Sequence, residues 1–431
     1  MSSTATSTTA VTDWERRLAD IMEMMRETSR HTDPQAMVAA YGRRLSKLVP
    51  TDRFVSLSRR DIEPPKYRIT RFSGWKSNIN PWKQKDQLPV LEGGLLGELL
   101  YAGEPRIIDD LRFDPDDPSA EYLAGQRSLM AIPMLEQGVV VNMVVSTLSR
   151  PGGFDKERFP EMVWTTILFG RSTSNLVLAE QLREAYDVVD RELTVVGDIQ
   201  RSLLPAQLPD IPTMKLAVHY QTSRRAGGDY YDFFPLPDGR FGILIADVSG
   251  HGTPAAVMMA VTHSIAHMYP GTSAPPGDML NFVSRHLSGR YTDSVGSFVT
   301  AFYSIYDPQT RELAYSSAGH NPPRLKRSAD GEITALDGAR TYPLGVSPEV
   351  TYENAAVRLM SGDQVVFYTD GITEATDRSG RMFGVKRLDA VLAECRNDAA
   401  EIIAAILAAV DEFTAGESAT DDRTVIVAKV V

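Results

Sequence analysis

The sequence predicts a mixed α+β protein with more than one domain. Its 431 residues are enough for two or three hydrophobic cores. A heptad pattern of apolar residues covers residues 178–204. On each side of it, segments that alternate apolar and polar residues, as strands do, are mixed with segments of helical spacing. Pro205 and Pro209 end that pattern. We therefore expect two α+β domains joined by a helix.

Composition and charge exclude several classes of protein. The net charge of −11 argues against nucleic-acid binding as the main function. A single cysteine, Cys395, excludes an internal disulfide and a cysteine-built zinc cluster. No segment approaches the ~18 continuous apolar residues of a membrane span. We expect a cytoplasmic protein without a membrane anchor, whose Ser/Thr-rich residues 1–13 are a disordered tail.

Residues 14–175 are predicted to form a first domain. Helical spacing and strand alternation predict two helices, at Trp14–Ser29 and from Pro34, and then a set of strands at Phe54–Ser58, Tyr67–Phe72, Glu104–Asp110, Ser128–Met134 and Val139–Leu148. A further helix is expected to start at Phe154. This order, with the motifs GEPRIIDD and SLMAIPM, resembles a GAF domain. The resemblance implies an antiparallel sheet with helices on one side and a pocket for a small ligand or signal.

Residues 176–204 are predicted to be a helical linker. Apolar residues recur every seven positions at Leu182, Val189, Val196 and Leu203. A companion row contains one acid and consists of Leu178, Ala185, Glu192 and Ile199. About three and a half heptads are just enough for a coiled coil, which predicts a homodimer. The alternative is a single amphipathic helix that packs on its own domain.

Acidic residues lie beside predicted strands of the last domain, residues 205–431, at four places. They are Asp229, Asp247, Asp370 and the pair Asp421–Asp422. Asp238-Gly239 is a hairpin signal, so Asp229 and Asp247 are expected on neighbouring antiparallel strands. Helices are predicted at Thr253–Met268, Pro276–Leu287 and Leu388–Phe413.

Carboxylates clustered in this way repel each other unless cations lie between them. Two divalent ions about 3.5–4 Å apart can activate water and hold a phosphoryl group. No Ser-His-Asp, cysteine or phosphate-loop constellation competes with this interpretation. His251 and His320 are interpreted as structural residues, because each lies in a Gly- or Pro-bounded turn.

Six motifs carry a second resemblance, over residues 200–431. They are GGDYYDF, ADVSGHGTPAA, SSAGHNPP, YTDGITEA, FG at Phe383-Gly384, and DDRTVIV. In this order and spacing they resemble the metal-dependent (PPM) protein phosphatases, in particular the SpoIIE/RsbU-like branch. The resemblance implies an α-β-β-α sandwich, two Mn²⁺ or Mg²⁺ ions, and hydrolysis of phosphoserine or phosphothreonine by metal-bound water. It also implies a phosphorylated STAS-type anti-sigma factor antagonist as the substrate, in a partner-switching pathway.

The same resemblance assigns roles to single residues. Asp247 would bridge the two metals, and the backbone carbonyl of Val248 would be a further ligand. The family often has Gly at the position of Val248, but a carbonyl ligand needs no particular side chain. Asp229 would hold a metal directly or through water.

Asp370 and Asp421 would complete the shell of the second ion, and Asp422 either binds metal or caps its strand. The predicted catalytic set is therefore the four acids at 229, 247, 370 and 421. Arg224 matches an arginine that commonly precedes the double glycine. It would contact either a phosphate or a structural salt-bridge partner.

Two other functions are alternatives. The chain could be a non-enzymatic sensor that binds a phosphorylated partner, although the complete set of acids argues against this. It could also be a GAF-linked nucleotide cyclase, because GGD opens the hairpin motif of diguanylate cyclases. Tyr230 replaces the acid that this motif needs, which disfavours the cyclase.

Overall fold

The computed structural model describes residues 13–48, 51–76, 79–271, 274–292, 296–395 and 398–431. The predicted disordered tail lies outside these residues, apart from its last position. The chain divides into two compact units, Met1–Tyr186 and Asp187–Val431. Among the described residues, every helix is too short or too polar to cross a membrane.

The N-terminal unit contains one six-stranded antiparallel sheet. Its helices are α1 (Asp13–Thr28), α2 (Pro34–Leu48), α3 (Gly94–Ala102), α4 (Ala120–Leu123) and the start of α5 (Phe159–Leu203). Its strands are β1 (Arg53–Ser58), β2 (Lys66–Phe72), β3 (Val90–Glu92), β4 (Arg106–Ile108), β5 (Ser128–Glu136) and β6 (Val139–Leu148), in the spatial order β3-β2-β1-β6-β5-β4. This arrangement is compatible with a GAF-like domain.

Alternating side chains of this sheet pack on both of its faces. On one face, Leu129 and Val145 lie in a core with Leu96 and Leu100 of α3. On the other face, a second core that includes Met130 of β5 packs against the start of α5. Helices therefore cover both faces of the sheet, and the expectation of helices on one side was wrong.

Helix α5 is one continuous helix of 45 residues. It begins at Phe159 rather than near Phe154, and no break separates it from the predicted linker. Its apolar positions Leu178, Leu182, Val189 and Ile199 are all more than half exposed in the single chain. Leu203 differs, because it packs against a core of the C-terminal unit and is not free for a helix–helix contact.

The C-terminal unit contains two sheets. The first, ordered β14-β11-β10-β9-β8 with β15 beside β11, is built from β8 (Tyr230–Pro235), β9 (Phe241–Val248), β10 (Val299–Asp307), β11 (Glu312–Ala318), β14 (Arg340–Thr341) and β15 (Ala355–Arg358). The second, ordered β13-β12-β16-β17-β7, is built from β7 (Met214–Gln221), β12 (Arg324–Lys326), β13 (Ile333–Ala335), β16 (Gln364–Tyr368) and β17 (Arg423–Val430). The helices are α6 (Thr253–His267), α7 (Pro276–Leu287), α8 (Asp370–Thr373), α9 (Gly384–Glu394) and α10 (Ala399–Phe413).

Period-2 alternation explains how these elements form layers. In β9, Ile243 and Ile245 pack between the two sheets, where they share a core with Phe367 of β16 and Ile426 of β17. Leu244 points to the opposite face and packs in the core under α6 and α7. Helices α9 and α10 cover the outer face of the second sheet in the same way. The predicted α-β-β-α sandwich is confirmed.

The segment predicted as one helix forms two helices in the structure. The spacing over Leu388–Phe413 predicted a single helix, but α9 ends at Glu394 and α10 begins at Ala399. The side chain of Asp398 caps the second helix by accepting a hydrogen bond from the backbone N–H of Glu401. This capping residue marks the new start, which apolar periodicity alone does not show.

Candidate active site

The hairpin of β8 and β9 brings the first two acids together. Tyr230 pairs with Ala246 in the antiparallel register, so Asp229 and Asp247 follow at the same end of the hairpin. Asp247 also lies opposite Thr300 of β10, which places it on an inner strand with neighbours on both sides. The predicted neighbouring positions of these two acids are confirmed by the pairing.

The second sheet brings the other acids to the same place. Tyr368 of β16 pairs with Val425 of β17. Asp370, which begins α8, therefore lies next to the Asp421–Asp422 pair that precedes β17. The two sets meet at Asp229, whose carboxylate accepts hydrogen bonds from the hydroxyls of Thr369 at 2.8 Å and Thr424 at 2.5 Å.

These two threonines were not among the residues that the sequence predicted. Each stands next to or near a predicted acid, in YTDG and DDRT, so the motifs contained the signal. Asp229 is 1% exposed, and its carboxylate needs such donors because a buried charge without partners is costly. The hydroxyls therefore hold Asp229 in one orientation between the sheets.

Asp422 holds the loop that leads to Asp229 through hydrogen bonds. One of its oxygens accepts hydrogen bonds from the backbone and hydroxyl of Ser223, and the other accepts from the backbone N–H of Gly228 at 2.6 Å. A Cβ atom on Gly227 would lie 2.0 Å from this carboxylate, and one on Gly371 would lie 1.9 Å from the backbone oxygen of Asp422. The two glycines are thus required by close approach.

Burial and mutual repulsion raise the pKa of the clustered acids. Burial, followed by the charges of neighbouring aspartates, raises the pKa of Asp247 to about 10. Burial and then the charge of Asp421 raise the pKa of Asp370 to about 6. Burial is also the main cause that raises the pKa of Asp229 and of Asp421. The protein thus holds four carboxyl groups where their ionised forms are disfavoured without a cation.

The donor set fits hard divalent cations. Carboxylate and backbone carbonyl oxygens are the ligands that Mg²⁺ and Mn²⁺ prefer. The carbonyl of Val248 is close to the same centre, because a Cβ atom on Gly228 would lie 2.7 Å from it and 3.3 Å from the carboxylate of Asp247. Glycine at 228 therefore leaves open the space between a carbonyl and a carboxylate that could both bind a metal. Asp229, Asp370 and Asp421 could supply the remaining oxygens.

A cavity of about 650 Å³ lies beside the loop that Asp422 binds, because Ser223, whose backbone N–H donates to the Asp422 carboxylate, is part of its lining. Its lining residues are Leu193, Ser223, Arg224, Arg225, Ala226, His251, Gly252, Thr253 and Pro254. Arg224 is exposed there, and the structure gives it no ion pair within the described parts of the chain. His251 is exposed as well, and its proximity partly opposes the burial that raises the pKa of Asp421. The cavity thus presents a guanidinium group and an imidazole, and the imidazole lies near Asp421.

His320 is 2% exposed and is not among the residues that line the cavity. Its Nδ1 is 2.9 Å from the hydroxyl of Thr300, the residue paired with Asp247. Burial lowers the pKa of His320 to about 4, which keeps the imidazole neutral. Its position is consistent with the structural role expected from the sequence.

The end of α5 also binds the loop that leads to Asp229. The side chain of Gln200 donates to the carbonyl of Gly227 at 2.6 Å and accepts from its N–H at 3.0 Å. Arg225 forms an ion pair with Asp190 of the same helix. Sequence reasoning missed Gln200, because a single polar residue in a heptad pattern gives no signal of its partner.

Comparison with known proteins finds a family that matches within the C-terminal unit and several relatives of the chain. Residues 237–431 match the family described as Stage II sporulation protein E (SpoIIE). Phosphoserine phosphatase RsbU of Bacillus subtilis (strain 168) is 28% identical over 201 residues, which are 47% of this chain and 59% of RsbU. Phosphoserine phosphatase RsbP of the same organism is 25% identical over 188 residues, which are 43% of this chain and 46% of RsbP. The chain thus spans about half the length of these curated relatives.

A solved structure shows the fold. The SiaA-PP2C domain of Pseudomonas aeruginosa superimposes with a TM-score of 0.51 and 22% sequence identity, over 57% of this chain and 99% of that domain. The C-terminal unit therefore has the PP2C fold.

Proposed function

We propose that this chain, whose C-terminal part is a SpoIIE-type domain with the PP2C fold, is a metal-dependent protein serine/threonine phosphatase. The observation that carries the proposal is the convergence of four carboxyl groups from two sheets, which is close enough for neighbouring aspartates to raise the pKa of Asp247. The names of RsbU and RsbP, both phosphoserine phosphatases, support the same activity.

In this proposal, Asp247, Asp229, Asp370 and Asp421, with the carbonyl of Val248, would hold two divalent ions. Mn²⁺ or Mg²⁺ would supply charge for the phosphoryl oxygens and activate water. Asp422 holds the loop of Gly228 in place, since both of its oxygens already accept hydrogen bonds from that loop.

Arg224 is proposed to bind the phosphate of the substrate. It is exposed at the cavity, whereas its neighbour Arg225 is paired with Asp190. A guanidinium group matches the geometry of a phosphate, which it can bind through two parallel hydrogen bonds.

We propose a serine-phosphorylated protein of the STAS type as the substrate, within a partner-switching pathway. The support is the similarity to RsbU and RsbP and the family resemblance of the motifs. Incubating the full chain with such a protein and Mn²⁺, and measuring released phosphate, tests this. Binding without release would instead favour the non-enzymatic sensor.

Phosphoserine and phosphothreonine proteins are expected to react faster than phosphotyrosine peptides. The cavity lining contains no Phe, Tyr or Trp among the described residues, so nothing there packs against a phenol ring. Initial rates on matched peptides that carry either phosphoserine or phosphotyrosine measure the preference. A faster rate on phosphotyrosine would contradict this specificity.

Replacing Gly227 by Ala is expected to lower both stability and activity. The new Cβ atom would meet the carboxylate of Asp422 at 2.0 Å, so the loop that carries Asp229 must shift. Overpacking of this kind costs about 1–3 kcal/mol. Urea unfolding and phosphate release measure the two effects.

Gly42→Ala is the matched control for that substitution. Gly42 lies within α2, and no atom lies within 4 Å of the place that a new Cβ atom would take. Ala is therefore expected to stabilise the helix by up to about 1 kcal/mol and to leave the rate unchanged. If Gly227→Ala behaves like this control, the close approach at Asp422 does not matter.

We further propose that the N-terminal unit, residues 14–175, is a GAF-type sensor for a small ligand, and that residues 176–204 join it to the phosphatase domain, residues 205–431. The exposed apolar residues of α5 support a second copy of the chain as the helix's partner. Gln200 supports coupling, because it joins this helix to the loop of the proposed metal centre. A displacement of α5 would therefore move Gly227 and its neighbours.

A further inference from the structure

A second group of metal-binding side chains lies outside the acidic cluster. Asp232 of β8 and His263 and His267 of α6 each place one ligand atom within 4.8 Å of the others. Asp232 lies on the face of β8 that packs under α6, and it is 5% exposed. The two histidines are four residues apart, which puts them on the same side of the helix.

The contacts within this group leave one ring nitrogen without a hydrogen-bond partner. Nε2 of His267 is 2.7 Å from Oδ2 of Asp232, and the rings of His263 and His267 are tilted by 40° with centroids 4.3 Å apart. Nδ1 of His263 is buried and has no hydrogen-bond partner among the described residues. A buried ring nitrogen without a partner is unusual, and it requires an explanation.

We propose that Asp232, His263 and His267 form a binding site for Zn²⁺ that is separate from the Mn²⁺/Mg²⁺ centre. Two imidazoles and one carboxylate are a ligand set that Zn²⁺ uses, and paired histidines at positions i and i+4 of a helix supply it in zinc enzymes. Hard cations prefer the all-oxygen set at Asp247 and Asp370. The two sites therefore differ in the class of metal that they select.

The surroundings support ligation by these groups. The hydroxyl of Tyr230 donates to Oδ2 of Asp232 at 2.6 Å, and the backbone N–H of Phe233 donates to Oδ1 at 2.7 Å. Such outer hydrogen bonds orient a ligating carboxylate.

Binding requires a small rearrangement. Two ligands of a tetrahedral Zn²⁺ lie about 3.3 Å apart, because each is about 2.0 Å from the metal. The hydrogen bond between Asp232 and His267 must therefore open. His267 has a side chain that is 46% exposed, so it can move and water can reach the remaining coordination position.

The test is a calorimetric titration of the full chain with ZnCl₂, in saturating Mg²⁺ so that the acidic centre is occupied. The wild type is expected to bind one equivalent of Zn²⁺. His263→Ala with His267→Ala should weaken this affinity by at least about 100-fold, since even loss of an outer hydrogen bond costs 10–100-fold. Asp247→Asn should leave it unchanged, which separates this site from the proposed catalytic one.

His286→Ala is the matched control, because His286 is an exposed histidine of the neighbouring helix α7 outside the group. Asp232→Asn gives a second variant in case the double substitution does not fold, and it should also lose Zn²⁺ binding. A wild type that binds no Zn²⁺ in Mg²⁺, or a double variant that binds it like the wild type, would overturn the proposal. The group would then be a hydrogen-bonded contact between β8 and α6.

Discussion

Asp247→Asn is expected to lower the rate of phosphate release by at least about 100-fold, and Asp370→Asn is expected to do the same. Each substitution removes charge that would hold the divalent cations. Neither should unfold the protein, because the pKa of both carboxyl groups is raised and the neutral side chain relieves repulsion in the metal-free state. Initial rates with Mn²⁺ and thermal melting without metal measure the two effects.

A cluster of repelling carboxyl groups predicts the direction in which these two substitutions change the melting temperature. The metal-free variants should melt at or above the temperature of the wild type, whereas Mn²⁺ should raise the melting temperature of the wild type more than that of either variant. Asp238→Asn is the control, because this residue lies in the exposed turn of the same hairpin and pairs with Arg240. Full activity of Asp370→Asn would contradict the assignment of the acids.

Leu182→Glu with Val189→Glu is expected to convert a dimer into a monomer. The two side chains are 58% and 52% exposed in the single chain and lie one heptad apart on α5. A second helix would cover them, and two buried glutamates would prevent that contact. Light scattering should show twice the chain mass of 47.5 kDa for the wild type and 47.5 kDa for the variant. We expect the phosphatase rate to change when the dimer is lost, because Gln200 joins the same helix to Gly227.

Arg191→Glu controls for charge, since it changes the net charge by the same −2 at an exposed position of α5 away from the apolar rows. It should stay a dimer with unchanged activity. A monomeric wild type, or a double variant that remains dimeric and fully active, would leave α5 as an ordinary connecting helix.

The sequence predicted the parts of the fold that depend on local pattern. Alternation located the strand that carries Asp247, and the Asp238-Gly239 turn placed Asp229 correctly at the start of the adjacent strand, directly before Tyr230. The motifs then identified the PP2C fold, which periodicity alone does not. The helix start at Phe154 was wrong, since α5 begins at Phe159. The single helix across residues 388–413 was also wrong, because Asp398 caps a new helix there.

What the sequence could not show depends on contacts between distant segments. Asp422 is separated from Gly228 by nearly the whole domain, yet its carboxylate accepts a hydrogen bond from that residue's N–H. Gln200 and Gly227 form another such pair. Leu203 fits the heptad row, but it packs on the core of its own unit, and no spacing rule distinguishes those two partners.

The most direct test of the central claim is phosphate release by the full chain from serine-phosphorylated casein and from a serine-phosphorylated STAS domain. Each substrate is assayed with Mn²⁺, with excess EDTA, and with Asp247→Asn in place of the wild type. We predict release with Mn²⁺ from at least the STAS domain, and a fall of about 100-fold or more in the other two conditions. Equal release with Mn²⁺ and with EDTA, or no release from either substrate, would contradict a metal-dependent phosphatase.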